Sequence, residues 1–343
     1  MNREIAKTFS VAPMVDWTDR HCRYFHRLLS RRAVLYTEML AAAAVLKGDR
    51  ARLLDFSAEE HPVVLQLGGS DPAEMAEAAA IGAEWGYDAI NINVGCPSDK
   101  VQQGRFGAVL LKEPETVAAC ARAMGEAVRA AGHDTPITVK CRVGVDDVDS
   151  DDHLARFIEA VAAQGVSTFV IHARKALLKG LSPKENRSVP PLDYARVHRM
   201  KERFPSLEII INGGLQGISE CRAQMRRVDG VMLGRAAYQT PWLLASVDAG
   251  LFGEKPPVAS RIEAVERFIP YVEARLAEGV PLNAMTKHIL GLFHGEPGAR
   301  AFRRTLSEEA PRNPTDIGVL HRALDAVRHP AEQLPEHPAE AAE

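Results

Sequence analysis

Short apolar runs alternate with longer amphipathic segments through the first two thirds of the chain. Each run is rich in apolar residues and is bounded by Gly, Pro or polar residues, which is typical of a buried strand. Eight runs fit this description: Phe9–Pro13, Val34–Met39, Val63–Leu67, Ala89–Val94, Ile137–Val143, Thr168–His172, Glu208–Asn212 and Gly230–Leu233. The segments between them, such as Pro72–Trp85, have helical period, and Asp71-Pro72 is a usual helix start. The pattern therefore predicts repeated strand–helix units.

Eight strand–helix units favour a (β/α)8 TIM barrel over an open, doubly wound sheet. A doubly wound sheet would also carry a G-x-G-x-x-G turn after its first strand, and this chain has none there. We therefore predict an α/β fold in which a barrel occupies residues 1–247.

The pattern changes after the eighth run. Residues 248–260 contain two Gly and two Pro residues, which predicts a linker. Only helical patterns follow from 261 to 328, and four short amphipathic helices predict a small helical-bundle domain. Residues 329–343 are rich in Pro, Ala and Glu and have little to bury, which predicts a disordered tail.

Composition narrows the possible functions. The formal net charge of −3 disfavours a uniformly basic nucleic-acid binder but leaves room for local basic patches. Five scattered cysteines without a C-x-x-C pair disfavour a disulfide scaffold, a zinc finger and an iron–sulfur site. No window approaches the roughly 20 apolar residues of a membrane span, and the N-terminus lacks an apolar signal core. We expect a cytoplasmic protein that does not enter a membrane.

One stretch, AININVGCPSDKVQQGRFG from Ala89 to Gly107, carries the clearest chemical signal. Its apolar strand ends abruptly at Gly95-Cys96-Pro97 and is followed by a polar, Gly-punctuated loop. Gly95 and Pro97 restrict the backbone on both sides of Cys96, so the thiol would point in a set direction. The alternative is that Cys96 is simply a buried strand cysteine.

Polar or glycine residues also stand where other predicted strands end. These ends carry Pro13-Met14, Gln66, Asn93, Lys140, Arg142, His172, Asn212-Gly213-Gly214 and Gly234-Arg235. A satisfied structural residue would explain any one of them, but together they predict a shared polar ligand at the carboxyl ends of the strands. The Gly pair after the seventh strand and the Gly-Arg pair after the eighth predict a phosphate site.

The remaining chemistry suggests a flavin. Lys140 would lie near the barrel axis, where it could stabilise negative charge on a ligand ring. His172 could instead bind a metal, but no Asp or Glu stands at a neighbouring strand end, and Glu38 is the nearest candidate; we predict no metal. A phosphate site and such a lysine suggest FMN, with Cys96 as a proton source. A nucleophilic thiolate would call for an adjacent His or helix N-terminus, which the local sequence lacks.

Several long stretches match the pattern of one known family. They are APMVDWTDRHCR (Ala12–Arg23), LQLGGSDP (Leu65–Pro72), NINVGCPSDKVQQGRFGA (Asn91–Ala108), VKCRVGVD (Val139–Asp146), HARKALLKGLSPKENR (His172–Arg187), INGG (Ile211–Gly214) and GVMLGRAAYQ (Gly230–Gln239). These motifs resemble the tRNA-dihydrouridine synthase family, and most of all its A-type branch, the tRNA-dihydrouridine(20/20a) synthases. The resemblance extends from Phe9 to about Ala326 and departs at Val15, where Met is common, and at Leu177, where Trp is common.

The resemblance implies a flavin enzyme that reduces uridine in the tRNA D-loop to 5,6-dihydrouridine. It implies that FMN is held by Pro13, Met14, Val15, Gln66, Lys140, His172, Asn212, Gly213, Gly214, Gly234 and Arg235. It implies that Cys96 donates a proton to C5, that reduced FMN donates hydride to C6, and that NADPH or NADH reduces the flavin again. The residues that correspond to tRNA contacts are Asn93, Lys184, Arg187, Arg300 and Arg303.

The residues themselves support RNA binding only weakly. One post-strand loop carries Arg174, Lys175, Lys179, Lys184 and Arg187, and one helical face carries Arg300, Arg303 and Arg304. A solvated charged face is the alternative. Two other functions stay open: an FMN barrel that acts on free pyrimidines, which the helical domain argues against, and a barrel that binds RNA without catalysis, which Cys96 and Lys140 argue against. We expect a monomer.

Overall fold

The computed structural model describes residues 8–330. A parallel eight-stranded sheet runs through the N-terminal region. The strands are β1 (Thr8–Val11), β2 (Leu35–Ala41), β3 (Val63–Gly68), β4 (Ala89–Val94), β5 (Ile137–Arg142), β6 (Thr168–His172), β7 (Glu208–Asn212) and β8 (Gly230–Leu233). Their order is β1-β8-β7-β6-β5-β4-β3-β2. A parallel bridge between Ser10 and Val34 joins β1 to the start of β2 and closes the ring. The predicted barrel is confirmed, and each predicted run overlaps one strand.

Helices follow the strands and surround the barrel. They are α1 (Arg20–Leu29), α2 (Ala42–Lys47), α3 (Arg50–Leu54), α4 (Pro72–Glu84), α5 (Asp99–Gln103), α6 (Pro114–Ala130), α7 (Asp151–Ala162), α8 (Tyr194–Arg203), α9 (Ile218–Gln224), α10 (Arg235–Gln239) and α11 (Val247–Phe252). The start of α4 is as the sequence predicts, because Asp71 accepts hydrogen bonds from the amides of Ala73 and Glu74, both at 2.9 Å.

The interior of the barrel is apolar on one level and polar on the next. The apolar level contains Ala12, Tyr36, Val64, Ala89, Val170, Ile210 and Met232. Side chains two residues further along the strands share the same inward direction, because strand side chains alternate between two faces. These are polar residues such as Gln66, Asn91, His172 and Asn212. The strand period therefore places the polar groups together above an apolar floor.

The chain divides into two compact units, Met1–Pro257 and Val258–Glu343. The linker predicted over 248–260 differs from the structure in its first part, because α11 runs through Phe252. Asp248 in α11 is fully buried and accepts hydrogen bonds from the Ser30 hydroxyl (2.5 Å) and from the amide of Arg31 (2.9 Å). A buried carboxylate with these partners makes the start of the predicted linker part of the barrel unit.

The second unit is helical over its described residues. It contains α12 (Arg261–Ala277), α13 (Leu282–Thr286), α14 (Ala299–Glu308) and α15 (Gly318–Arg328). A single 3-10 turn, Lys287–Ile289, extends α13. The predicted tail, 329–343, lies outside the described residues except for its first two positions. Across residues 8–330, we find no helix with the length and apolar character needed to cross a membrane.

Candidate active site at the carboxyl ends of the strands

A cavity of about 620 Å³ opens at the carboxyl ends of the barrel strands. Most of the residues predicted from the sequence line it: Pro13, Met14, Val15, Gln66, Asn93, Cys96, Lys140, His172, Arg187, Asn212, Gly213, Gly214, Gly234 and Arg235. Lys184 does not line the cavity, although its neighbour Pro183 does. Arg300 and Arg303 belong to the other compact unit. The volume is in the range typical of small-molecule and cofactor sites.

The backbone around Cys96 is fixed at every polar atom. The amides of Gly95 and Cys96 both donate to Asn93 Oδ1 at 3.0 Å. The carbonyl of Gly95 accepts from Arg142 Nε at 2.8 Å, and the carbonyl of Cys96 accepts from the amide of Ala108, also at 2.8 Å. The thiol is half-buried and lies 3.5 Å from the Ser98 hydroxyl. Cys96 is therefore a partly accessible thiol on a rigid backbone, which excludes the simple buried cysteine.

The close contact between Cys96 and Ala108 depends on a glycine. Gly107 has φ +77°, and a Cβ built there would lie 2.5 Å from the carbonyl oxygen of Cys96. Any other residue at 107 would push the Cys96 backbone away, besides adopting an unfavourable φ. The glycine punctuation that the sequence displays after Cys96 is thus a steric requirement.

A chain of buried amides runs beneath the cavity from β4 to β5. Asn93 Nδ2 donates to Gln66 Oε1, and Gln66 Nε2 donates to Asn91 Oδ1, each at 2.8 Å. Asn91 Nδ2 then donates to the Thr138 hydroxyl at 2.8 Å. Because Asn93 Oδ1 already accepts two backbone amides, the direction of each later bond is determined. Asn93 can therefore meet a ligand only as a hydrogen-bond donor.

The cavity is strongly cationic. Among the described residues, its lining includes Lys140, Arg142, Arg187 and Arg235, against a single acidic residue, Asp16. Burial lowers the pKa of Lys140 to about 8, and Lys140 Nζ donates to Asn212 Oδ1 at 3.1 Å. These charges suit an anionic ligand.

His172 is set among these cations. Burial first, and then the charges of Arg142 and Lys140, hold the pKa of His172 well below its usual value. Its imidazole is therefore neutral near pH 7. Within residues 8–330 there is no group of three or more His, Cys, Asp or Glu side chains that could hold a metal.

The ends of β7 and β8 form a glycine cradle. Gly213 has φ +113°, and a Cβ there would lie 2.5 Å from the His172 ring. Gly214 has φ +74°, and a Cβ there would lie 2.5 Å from Leu192. The amides of both glycines find no backbone acceptor in the described part of the chain. Backbone amides that are open in this way, next to Gly234 and Arg235, suit a phosphate.

The loop after β6, which we call the basic loop (residues 173–192), is folded around one asparagine. Asn186 is fully buried, accepts from the amide of Leu177 at 2.8 Å and donates to the carbonyl of Leu177 at 2.9 Å. Of its predicted cations, Lys175 pairs with Asp149 at 3.1 Å, and Arg174 donates to the carbonyl of Pro190. Three others, Lys179, Lys184 and Arg187, have exposed side chains.

The arginines of the second unit are also exposed. Arg300, Arg303 and Arg304 lie on α14, whose buried side consists of Phe302 and Leu306. Arg300 and Arg303 line a separate cleft of about 370 Å³ within that unit, together with His294 and Glu296.

Two residues at the barrel site, Asn91 and Thr138, had no role in the sequence analysis, and Arg142 was predicted only as one of several polar residues at strand ends. Asn91 and Thr138 support Gln66, and Arg142 supports Gly95. The alternating Asn91 in an otherwise apolar strand was the available signal, but its partners lie on other strands. Glu38, which the sequence analysis named as the nearest candidate metal ligand, accepts from the amide of Asp16, which has φ +65°. It supports the loop after β1.

Comparison with known proteins gives one consistent family. Residues 10–327 match the family model described as dihydrouridine synthase (Dus). The chain is 52% identical over 327 residues to the tRNA-dihydrouridine(20/20a) synthase of Shewanella oneidensis, covering 95% of this chain and 96% of that protein. It is 55% identical over 303 residues to the protein of that name from Xanthomonas campestris, covering 88% of each. Among solved structures, an old yellow enzyme homologue from Zymomonas mobilis matches with a TM-score of 0.49 and 9% identity, covering 68% of this chain and 86% of that one.

Proposed function

Because the chain belongs to the dihydrouridine synthase family, we propose that it reduces the C5–C6 double bond of uridines in tRNA to give 5,6-dihydrouridine. The relatives named tRNA-dihydrouridine(20/20a) synthase point to positions 20 and 20a of the D-loop as the targets. The observation that carries the proposal is the placement of Cys96: a half-buried thiol on an immobilised backbone at the wall of a cationic cavity. It is a proton donor held in one place.

The residues of the cavity fit FMN. The glycine cradle with Arg235 offers open amides and a guanidinium for a phosphate, and a Cβ at Gly213 or Gly214 would collide with the His172 ring or with Leu192. Lys140 offers a positive charge, and Gln66 keeps one N–H beyond its bond to Asn91 for an acceptor on a ring. Pro13, Met14, Val15, His172, Asn212 and Gly234 complete the lining.

When bound and reduced, the flavin supplies a hydride to C6 of the uracil ring. Cys96 supplies the other hydrogen, because its S–H bond breaks as the proton moves to C5. The thiolate left on Cys96 is then in a cavity that contains Arg142 and Arg187, and both charges favour it. Asn93 donates to a carbonyl oxygen of the base. NADPH or NADH would supply the hydride that reduces the flavin again.

The tRNA would be held outside the cavity by phosphate contacts. Lys184 and Arg187 on the basic loop, with Arg300 and Arg303 on α14, are exposed cations suited to phosphates. The target base must leave the folded RNA to enter the cavity, at a cost of a few kcal/mol that these contacts help to offset. We expect the protein to act as a monomer in the cytoplasm, where its substrate is.

The proposal is tested with the purified protein and with cells. The protein should be yellow or become so with added FMN, and it should form dihydrouridine in tRNA lacking that modification when NADPH is present. Cells without the gene should lose dihydrouridine at positions 20 and 20a. A colourless protein that FMN cannot reconstitute would count against the flavin, and equal turnover of free uracil or orotate would favour an enzyme of free pyrimidines.

A further inference from the structure

Arg142 is a buried cation of the cavity lining, and it takes no direct part in the proposed chemistry beyond its charge. It is 3% exposed, whereas Arg187 and Arg235 are exposed. Burying a guanidinium is costly unless its N–H groups are paired. Burial lowers the pKa of Arg142 to about 10, which still leaves it charged at pH 7. The hydrogen-bond partners of Arg142 therefore indicate its structural role.

Its partners are backbone carbonyls from three places in the chain. Nε donates to the carbonyl of Gly95 at 2.8 Å, one residue before Cys96. Nη1 donates to the carbonyl of Lys175 at 3.1 Å, with Arg174 at 3.4 Å, at the start of the basic loop. Nη1 also donates to the carbonyl of Asn186 at 3.0 Å, near the end of that loop. In the described chain Arg142 forms no ion pair, so its charge is stabilised by the two loops alone.

The hydrogen bonds of Arg142 differ from the other bonds to the Cys96 backbone, because they also reach a second loop. Asn93 and Ala108 hold the Cys96 backbone from the same β4 strand and the turn that follows it. Of these three anchoring residues, Arg142 alone also holds the basic loop. A second, less buried bridge joins the same two loops: Gln102 Nε2 donates to the carbonyls of Pro97 at 2.9 Å and Leu178 at 3.1 Å.

We propose that Arg142 is a positioning residue that fixes the Cys96 backbone relative to the basic loop, so that RNA seated on this loop meets a thiol at a set place. This inference rests on the proposed function for the identity of the RNA and of the reaction. Lysine cannot replace Arg142 in this role, because one ammonium cannot reach Gly95 and both ends of the basic loop as the guanidinium fork does. Gln102 strengthens the same connection nearer the surface.

The chain offers a matched control for loss of a buried arginine. Arg27 is 8% exposed and also donates to several backbone carbonyls, among them those of Ser30 and Ala33, both at 2.7 Å. It lies on α1, and it does not line the cavity. Arg27→Lys therefore loses comparable backbone hydrogen bonds without touching either loop.

The test compares Arg142→Lys with Arg27→Lys by amide hydrogen exchange and by kinetics. In Arg142→Lys, segments 93–110 and 174–189 should both exchange about tenfold faster, while Arg27→Lys leaves both unchanged. Dihydrouridine formation should fall about 30-fold in kcat for Arg142→Lys, since a small misplacement of a reacting group costs a large factor in rate. Reduction of the bound flavin by NADPH should stay near the wild-type rate, and Arg27→Lys should keep both activities.

Several results would overturn the proposal. Unchanged hydrogen exchange in either segment of Arg142→Lys would show that Arg142 does not connect the two segments. An unchanged kcat would show that this connection does not contribute to dihydrouridine formation. If Arg142→Lys fails to fold, Gln102→Leu replaces it, with about threefold faster exchange expected in both segments and no change counting against the bridge. A wild-type protein that forms no dihydrouridine would refute the proposed function, while the exchange data would still decide on the bridge.

Discussion

The strand ends of β4 and β5 differ from those of β7 and β8 in what their polar groups are bound to. At β4 and β5, the side chains of Asn93 and Arg142 are bonded to the backbone around Cys96. At β7 and β8, the amides of Gly213 and Gly214 have no backbone acceptor in the described chain. The backbone groups around Cys96 are therefore paired without a ligand, whereas the glycine amides offer their hydrogen bonds to one.

This difference separates two tasks within one cavity. A group that transfers a proton is most useful when its position is set before the substrate arrives, because no reorganisation is then needed during the reaction. A site that binds a phosphate needs unpaired donors and room, and glycines supply both. Under the proposed function, the anchored Cys96 backbone would set the rate of the chemistry, and the glycine cradle, together with Lys140, would hold the cofactor.

The largest effect is expected at Cys96. Cys96→Ala should lower dihydrouridine formation about 10³-fold, because a positioned general acid contributes a factor of that order. Flavin content and NADPH-dependent flavin reduction should be unchanged, since the cradle does not contain Cys96. Steady-state assays with tRNA and the visible spectrum of the same sample measure both. If Cys96→Ala lost its flavin together with its activity, the separation of proton donation from cofactor binding would be contradicted.

The next largest effect is expected at the glycine cradle. Gly213→Ala should weaken FMN binding about 100-fold, because the new Cβ would lie 2.5 Å from the His172 ring and φ is +113°. Gly165→Ala is the matched control: Gly165 has φ +93° and nothing within 4 Å of a Cβ, so it carries the backbone strain without the collision. Fluorescence titration with FMN measures both, and equal losses in the two variants would show that strain alone matters.

A smaller effect is expected on tRNA binding by the arginines of α14. Reversing Arg300 and Arg303 to Glu together should weaken tRNA binding about 30-fold at low salt and flatten its dependence on salt, because fewer counterions are released. Reduction of the flavin by NADPH should not change. Binding measured over a range of salt concentrations tests this, and an unchanged slope would remove α14 from the tRNA footprint.

The smallest effect is a pH dependence that Lys140 should cause. The pKa of Lys140 is lowered to about 8, so the ammonium is present below pH 8 and is lost as the pH rises through it. The Kd of FMN should therefore rise about tenfold between pH 7 and pH 9 if the ammonium form binds the anion. Lys140→Met should bind FMN weakly at both pH values and lose this dependence. A wild-type Kd that is constant over the range would contradict the role of Lys140.

Much of the site could be predicted because barrel chemistry is concentrated at strand ends. Gly95 and Pro97 on either side of Cys96, and the glycines after β7, are local signals that need no partner to be recognised. Their positions at strand ends also placed Gln66, Asn93 and Lys140 among the predicted contacts of a shared ligand.

The parts that sequence reasoning missed depend on contacts between distant residues. Arg142 binds carbonyls 32 to 47 residues away along the chain, and Asn91 finds Thr138 47 residues on. Only the register of the strands brings these groups together. The first part of the predicted linker is helix α11 for the same reason: its Gly and Pro residues were visible in the sequence, but Ser30, the partner of Asp248, lies 218 residues earlier.

The central claim is that a fixed Cys96 thiol donates the proton while the flavin donates the hydride, and a single-turnover experiment tests it most directly. Flavin-loaded protein is reduced with NADPH without air, freed of excess NADPH and mixed with tRNA that lacks dihydrouridine. The account predicts that wild type regains its flavin absorbance and forms an equimolar amount of dihydrouridine, while Cys96→Ala binds the same tRNA and stays reduced. Reoxidation of Cys96→Ala by tRNA at the wild-type rate would contradict it.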